Sequence, residues 1–263
     1  MKIGVCIKQV PDTEARLRIA ADGRSIDETD MPFRINEGDE YAVEEALSIA
    51  EQSGGEVVVI TAGPARVREA VRKALAVGAH RAIHLADDAF QGGDAWSNAR
   101  ALAEVVRQEE FDLVLTGSQS ADAGFGSTAT LMAASLGWPH AWLVVGLEVG
   151  SDGTCKVTRE MEAGKNELST VSLPAVIEVQ AGINQPRYAS LKGIMQAKRK
   201  ELREVTPQDL GLAPEQVGAA GARLEVLAIR EPESGEGAQM LEGAPEAVAR
   251  ELVDKLRTEA RVL

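Results

Sequence analysis

Over the first 140 residues, short runs of apolar and β-branched residues alternate with longer stretches whose apolar residues recur every three or four positions. The short runs predict strands at 2–8, 56–62, 81–85 and 111–117. The longer stretches predict helices at 39–52, 65–77, 95–110 and 127–137, with Asp94 as an N-cap and Gly78 and Gly137 as stops. Such alternation is typical of a parallel sheet that helices cover on both faces.

Beyond residue 140 the pattern changes to consecutive strands, predicted at 141–150, 154–162 and 173–182. Turn residues at 151–153 and 164–166 separate them, and the middle of this region is typical of a hairpin. We therefore predict an α/β, Rossmann-like, three-layer fold: a mainly parallel sheet with a hairpin added at its edge.

The C-terminal region is different in composition. Residues 205–243 are rich in Gly, Pro, Ala and Glu, and only 223–229 has a strand-like pattern. A helix is predicted at 245–263, with Pro245 in its first turn. Its apolar face consists of Val248, Leu252, Val253 and Leu256. Such a helix either folds back on its own domain or forms an arm that packs on a partner chain, and the pattern allows both.

Composition narrows the class of protein. The 263 residues are 44% apolar, enough for a packed core. A net charge of −13 and an aromatic content of 3% disfavour nucleic-acid binding, which uses basic surfaces and aromatic platforms. No run is long enough to cross a bilayer, and no signal or transit pattern opens the chain. Cys6 and Cys155 are expected to be free, buried thiols, and the protein is expected to be cytoplasmic without direct membrane insertion.

The most informative loop is 117–128, GSQSADAGFGST, which follows a predicted buried strand and opens a predicted helix. Its glycines allow tight turns, its hydroxyls are hydrogen-bonding groups, and the N–H groups of the next helix would face an anion. In an open α/β sheet this is where ligands bind. The spacing matches no standard phosphate-binding motif, so a phosphate cradle and a plain polar turn both remain open.

Two further segments are candidates for the same ligand. Asn36 precedes a helix whose first turn holds Glu37, Asp39 and Glu40, and these carboxylates would repel phosphate. We therefore assign any phosphate to 117–128 and Asn36 to a neutral ribose or base contact, the alternative being a turn or cap residue. The small Ala62 ends the second predicted strand and leaves room for an adenine or ribose, and a plain strand-to-helix turn is an equal alternative.

No catalytic or metal-binding constellation is apparent. His80, His84 and His140 are isolated and lack zinc-site spacing. Asp87 and Asp88 are more typical of a solvated turn than of a metal site. A nucleotide fold without a nucleophile, base or metal set indicates binding and not turnover, so we predict no catalytic residues and no metal ligands.

Several stretches resemble the small (beta) subunit of electron transfer flavoproteins, over nearly the whole chain and in the family's order. They are VCIKQVPD, INEGDEYAVEEA, GPARVREAVRKALAVGAHRAIHL, DLVLTGSQSAD, LGWPH, VTREMEAGKNELSTVSLPAVIEV and NQPRYASLKGIMQAKRKELREV followed by DLGL. The resemblance implies a heterodimer whose large (alpha) subunit carries the redox-active FAD, while the small subunit supports that flavin domain and buries an AMP without a catalytic role.

The resemblance also implies positions for the AMP contacts. They fall on Cys6, Asn36, Glu37, Gly38, Asp39, Ala62, Gly117, Ser118, Gln119, Ser120, Ala121, Asp122, Ala123, Gly124, Phe125, Gly126, Ser127 and Thr128. Many members have a basic residue where Ser118 stands. We therefore expect backbone amides and hydroxyls to meet the phosphate charge.

Residues 181–200, here called the basic segment, hold five basic residues and no acid in an acidic chain. The segment resembles the family's recognition loop, which implies that Leu191, framed by Tyr188, inserts into a pocket of a flavin-dependent dehydrogenase. On pattern alone, a Leu buried at an ordinary helix start beside a solvated basic face is the alternative. The resemblance further implies that Glu160 contacts the flavin-bearing domain of the alpha subunit.

The expected function is an electron carrier subunit and not an enzyme, which passes electrons from dehydrogenases through the alpha subunit's FAD to a membrane quinone oxidoreductase. An electron-bifurcating beta subunit, with a second FAD that accepts electrons from NADH, is the alternative, and a free-standing adenine-nucleotide enzyme or sensor is a third. We expect residues 1–200 to form the adenine-nucleotide-binding domain, including the basic segment. Residues 201–263 are expected to form a C-terminal extension that packs on the partner subunit.

Overall fold

A computed structural model describes residues 1–233 and 237–263. In chain order its strands and helices are β1 Lys2–Cys6, β2 Gln9–Pro11, β3 Phe33–Ile35, α1 Glu37–Ser53, β4 Glu56–Ala62, α2 Arg68–Val77, β5 Arg81–Leu85, α3 Ala95–Glu109, β6 Leu113–Gly117, α4 Thr128–Leu136, β7 His140–Val149, β8 Thr154–Met161, β9 Lys165–Ser172, β10 Ala175–Val179, α5 Leu191–Ala197, β11 Leu202–Val205, α6 Gly218–Gly221 and α7 Pro245–Thr258. The predicted strands and helices of the first 140 residues are all present, with shifted ends.

Nine strands form one sheet in the order β11-β5-β4-β1-β6-β10-β7-β8-β9. The pairings from β11 to β7 are parallel, whereas β7–β8 and β8–β9 are antiparallel. An added hairpin at one edge is confirmed, and it consists of β8 and β9, although no strand was predicted at β9. β1 lies in the middle of the seven parallel strands, and the chain builds β4 and β5 on one side before it crosses to β6 on the other.

The central strands of the sheet are buried on both faces because apolar residues occupy successive positions. Val57 and Val59 of β4 belong to a cluster with α1 and α2, while Val58 and Ile60 belong to a second cluster with α3 and α4. Alternate side chains of one strand therefore supply two cores, one on each side of the sheet. This arrangement confirms the predicted three-layer α/β fold.

One predicted strand, 223–229, is wrong. This stretch pairs with no strand in the described part of the chain, and Leu224, Val226 and Leu227 are exposed. Its backbone is held at isolated points instead: Arg223 N and Leu224 N donate to Asp94 Oδ2 at 2.7 and 3.0 Å. The alternation of apolar residues gave a strand-like pattern, but a strand also requires a sheet edge to pair with, and this stretch pairs with none.

Beyond this stretch, the C-terminal helix α7 ends at Thr258 and has no buried residue. Leu252 and Val253 on its apolar face are 47% and 38% exposed. By contrast, β11 and Val217, both beyond residue 200, pack on the α/β body.

Candidate functional site

A cleft lies at the carboxyl ends of β1 and β6, the neighbouring strands from which the chain diverges to opposite halves of the sheet. Open α/β sheets bind ligands at such a switch point because the loops that leave the two strands separate there. The cavity has a volume of about 190 Å³. Cys6 lines it at the end of β1, Ala62 at the end of β4, and Thr116 and Gly117 at the end of β6.

Beside this cleft, the start of α1 packs against the end of β6 without intervening side chains. A Cβ atom on Gly117 would lie 2.5 Å from Asp39 Oδ1, and one on Gly38 would lie 3.3 Å from Gly117 Cα. Glycine is therefore required at position 117, and the close approach brings the first turn of α1 to the floor of the cleft.

The carboxylate of Asp39, only 6% exposed, joins this helix to both strands. Its Oδ1 accepts a hydrogen bond from Gly117 N at 3.1 Å, and its Oδ2 accepts one from Lys8 N at 2.7 Å. Burial raises the pKa of the Asp39 carboxyl to about 7, although these hydrogen bonds act to lower it. Burial and the neighbouring Asp39 raise the pKa of the Cys6 thiol to about 12, so this thiol stays protonated and is a poor nucleophile.

Asn36 holds the loop between β6 and α4 in place. Its Nδ2 donates to Gln119 O and its Oδ1 accepts from Ala121 N, both at 3.0 Å. Although Asn36 occupies the N-cap position of α1, its side chain makes no capping hydrogen bond. The side chain therefore shapes the loop, and its predicted contact with a ribose or base stays a prediction.

The start of α4 faces the cleft. Gly124 and Gly126 have φ values of +61° and +56°, which a glycine adopts readily and which turn the loop towards this helix. The N-cap residue Ser127 makes no side-chain cap, and Ser127, Thr128 and Ala129 line the cleft. The first N–H groups of a helix lack intrahelical acceptors, so this end favours an anion.

The structure brings most of the predicted cofactor residues together. Those that line the cleft are Cys6, Asn36, Asp39, Ala62, Gly117, Ser118, Gln119, Ser120, Ala123, Phe125, Gly126, Ser127 and Thr128. Those that do not line it are Glu37, Gly38, Ala121, Asp122 and Gly124. Their binding roles remain predictions, since this geometry shows where they lie and not what they bind.

Lys8 is the functional candidate that sequence reasoning missed. Its Nζ lies 2.7 Å from Asp122 Oδ1 and 3.3 Å from Ser120 Oγ. Within residues 1–233 and 237–263 it is the only basic side chain that lines the cleft. A cation is thus available there besides the expected amides and hydroxyls. The signal in the sequence was its place at the end of the predicted strand 2–8, because ligand-binding loops in α/β sheets begin at strand ends.

A second candidate site is the basic segment, which α1 holds firmly. Arg187 Nε and Nη2 donate to Glu44 at 2.8 and 2.9 Å, and Nη1 donates to Glu51 at 2.5 Å. The Glu51 and Glu44 carboxylates raise the pKa of the Arg187 guanidinium above its usual range. Asn184 Nδ2 also donates to Tyr41 O at 3.1 Å. These bonds give the segment a defined path along the helix.

Leu191 is the first residue of α5, and Ser190 caps this helix by accepting from Gly193 N at 3.0 Å. Leu191 is 83% exposed and Tyr188 is 97% exposed. The alternative in which Leu191 is buried at an ordinary helix start is therefore wrong. Nor is the basic face wholly solvated, because Lys200 Nζ donates to Leu75 O at the end of α2, at 2.9 Å.

Glu160 lies on β8, opposite Asn166 of β9, and is exposed near the tip of the outer hairpin. In the part of the chain that the structure describes, no three His, Cys, Asp or Glu side chains gather as a metal site would require. The same described residues contain no helix with the length and hydropathy needed to span a membrane.

Comparison with known proteins gives consistent matches. The family model for the electron transfer flavoprotein domain matches residues 24–210. The electron transfer flavoprotein subunit beta of Methylophilus methylotrophus is 42% identical over 256 residues, which cover 96% of this chain and 97% of that protein. The subunits of the same name from Bradyrhizobium diazoefficiens and Bacillus subtilis are 39% and 34% identical, each with full coverage of both chains.

Proposed function

This chain belongs to the electron transfer flavoprotein family as a beta subunit, and we propose that it binds AMP as a structural ligand in the cleft between β1 and β6. As a beta subunit it is part of an electron carrier and pairs with an alpha subunit. In the proposed arrangement the alpha subunit carries the FAD, and this chain supports it without bond chemistry of its own.

One observation carries the AMP proposal: the cleft joins an uncapped helix start, a glycine-rich loop and a polar floor at the switch point of the sheet. The start of α4 suits a phosphate, and the small Ala62 leaves space beside it for a ribose or base. The hydrogen bonds of Asn36 to the loop preform this arrangement, so little ordering is required when the ligand binds.

The size of the cavity favours AMP over a second FAD. Its volume of about 190 Å³ leaves no space for a flavin beside an adenine nucleotide. FAD contains the same AMP moiety, but its flavin half would have to lie outside the cleft. A bifurcating role, with a second flavin here, is therefore the weaker alternative.

The exposed Leu191 supports a docking role for the basic segment. Isolated, anchored apolar side chains with a polar rim are typical of small hot spots in interfaces. We propose that Leu191 and Tyr188 dock a flavin-dependent dehydrogenase, and that the reduced carrier then passes electrons to a membrane quinone oxidoreductase. Glu160 and the C-terminal extension 201–263 are proposed to contact the alpha subunit.

Mass analysis of released nucleotides tests the proposed ligand. The chain is purified together with its alpha subunit and denatured. The nucleotides released into the supernatant are then identified by mass. We expect one FAD and one AMP per heterodimer. Two FAD and no AMP would replace this proposal with the bifurcating one, and a single FAD without any second nucleotide would contradict both.

A further inference from the structure

The backbone of Lys8 is fixed on both sides at the floor of the cleft. Its N–H donates to Asp39 Oδ2 at 2.7 Å, and its carbonyl oxygen accepts from Asn36 N at 2.9 Å. Asp39 and Asn36 are themselves bonded to the end of β6 and to the loop that follows. The Lys8 side chain therefore starts from a fixed point, and only its flexible stem can redirect the ammonium.

That ammonium is engaged by a carboxylate of the loop. Asp122 Oδ1 accepts from Lys8 Nζ at 2.7 Å and from Ala123 N at 2.6 Å. Burial acts to raise the pKa of the Asp122 carboxyl, yet hydrogen bonds from Lys8 and Ser120 outweigh it and hold that pKa below its usual value. The charged Asp122 carboxylate is thus paired with Lys8, which within the described residues is the one cation that lines the cleft.

We propose that Lys8 selects the phosphate of the ligand and that Asp122 is an internal competitor which the phosphate displaces from Lys8. This inference rests on the proposed nucleotide site. A phosphate monoester carries a charge of about −1.5 to −2 near neutral pH, so it attracts the ammonium more strongly than one carboxylate does and repels Asp122. The ligand class is a nucleoside monophosphate, in preference to an uncharged nucleoside.

The exchange requires only side-chain rotation, because bonds from Ala121 N to Asn36 Oδ1 and from Gly124 N to Ser120 O hold the loop backbone on both sides of Asp122. The Lys8–Asp122 pair is also partly open to solvent, with 43% and 24% of the two side chains exposed. Asp122 can therefore leave Lys8 without uncovering the core.

The proposal predicts opposite effects for the two partners of one ion pair. Lys8→Met keeps the stem and removes the charge, so it should weaken AMP binding by about tenfold or more, the usual effect of a lost charge-assisted hydrogen bond. Asp122→Asn keeps the size of the side chain and removes the competing charge, so it should strengthen AMP binding. A pair that merely stabilised the loop would weaken binding in both variants.

Calorimetric titration of the heterodimer, freed of bound nucleotide, tests this with AMP and with adenosine. We expect Lys8→Met to change the Kd of AMP and to leave that of adenosine within about twofold, with Lys8→Arg retaining most of the affinity for AMP. Should Lys8→Met not fold, as judged by circular dichroism, the direction of the Asp122→Asn effect decides. Equal losses for both molecules, or weaker AMP binding by Asp122→Asn, would overturn the inference.

AMP and adenosine binding by the wild-type protein distinguishes failure of the proposed nucleotide site from failure of the proposed role of Lys8. If it binds neither AMP nor adenosine, the nucleotide site itself fails and this inference fails with it. If it binds AMP normally while Lys8→Met binds AMP equally well, only the role of Lys8 is overturned. Preference for AMP over adenosine that disappears in Lys8→Met supports both.

Discussion

Among single residues, Asp39 has the most unusual environment, because one buried carboxylate ties the start of α1 to the ends of β1 and β6. With its pKa raised to about 7, the folded protein holds a proton that the unfolded chain, with a carboxyl pKa near 4, has already released. Between about pH 4 and pH 7 this group therefore makes the folded state less stable as pH rises.

Replacing Asp39 with Asn should remove this pH dependence. The variant loses one hydrogen-bond acceptor at all pH values but escapes the cost of a buried charge above pH 7. We expect the stability difference between wild type and Asp39→Asn to shrink by up to roughly 4 kcal/mol from pH 4 to pH 8, at about 1.4 kcal/mol per pKa unit. Urea unfolding across this range measures it. Exposed Glu37, in the same helical turn, gives the matched control Glu37→Gln, and a difference for Asp39→Asn that stays constant with pH would contradict the prediction.

Residue-scale reasoning from the sequence identified the loops of the cleft and missed their cation. Gly117, Ser127 and Thr128 were recognisable because glycines and hydroxyls between a strand and a helix are typical of turns that expose backbone N–H groups. Lys8 was not, because a lysine at the end of a predicted strand is usually solvated, and only the fold shows that the loop 118–127 passes next to it. The same holds for Asn36, whose two bonds to that loop span more than 80 residues of sequence.

At the scale of elements, α5 presents the exposed Leu191 from a helix that is capped by Ser190 and lies next to the clamped Arg187. The substitution Leu191→Ala removes the apolar side chain and leaves these anchors. It should slow electron transfer from the dehydrogenase at limiting partner concentration by about tenfold or more, since hot-spot truncations typically cost about 2 kcal/mol or more. Stopped-flow reduction of the heterodimer measures the rate.

The control for that experiment is Gln196→Ala, an exposed polar residue on the same helix. Flavin content and heterodimer yield should be unchanged in both variants, so a slower rate reports docking and not assembly. Identical kinetics for Leu191→Ala and Gln196→Ala would remove Leu191 from the proposed docking site.

Strands could be predicted where the local sequence pattern determines them. They could not be predicted where pairing with neighbouring strands determines them. The strands β4 and β6 were clear because each is a continuous run of mainly apolar, β-branched residues. The position of β10 between β6 and β7 could not be read locally, because a crossover connection leaves no trace in the sequence of the strand itself. β11 is only four residues long and half exposed, so it gave no signal, whereas 223–229 gave a strand signal without a partner.

At the scale of the whole molecule, the exposed apolar face of α7 is a surface proposed to pack on the alpha subunit. Leu252→Asp places a charge on this face and should weaken binding of the alpha subunit, because a buried carboxylate without a partner is costly. Ala247→Asp adds the same charge on the opposite side of the helix and should have little effect. Sedimentation at decreasing protein concentration compares the two heterodimers, and equal dissociation would indicate that α7 does not contribute to the interface.

The single helix α1 serves both proposed sites. Its first turn supplies Asp39 to the cleft, and its later turns supply Glu44 and Glu51 to the clamp on Arg187. At 1.5 Å per residue, about 18 Å of rigid helix separates Asp39 from Glu51. The helix is therefore a rigid spacer. Loops at either end can rearrange, but the distance between the proposed nucleotide site and the proposed docking site stays constant.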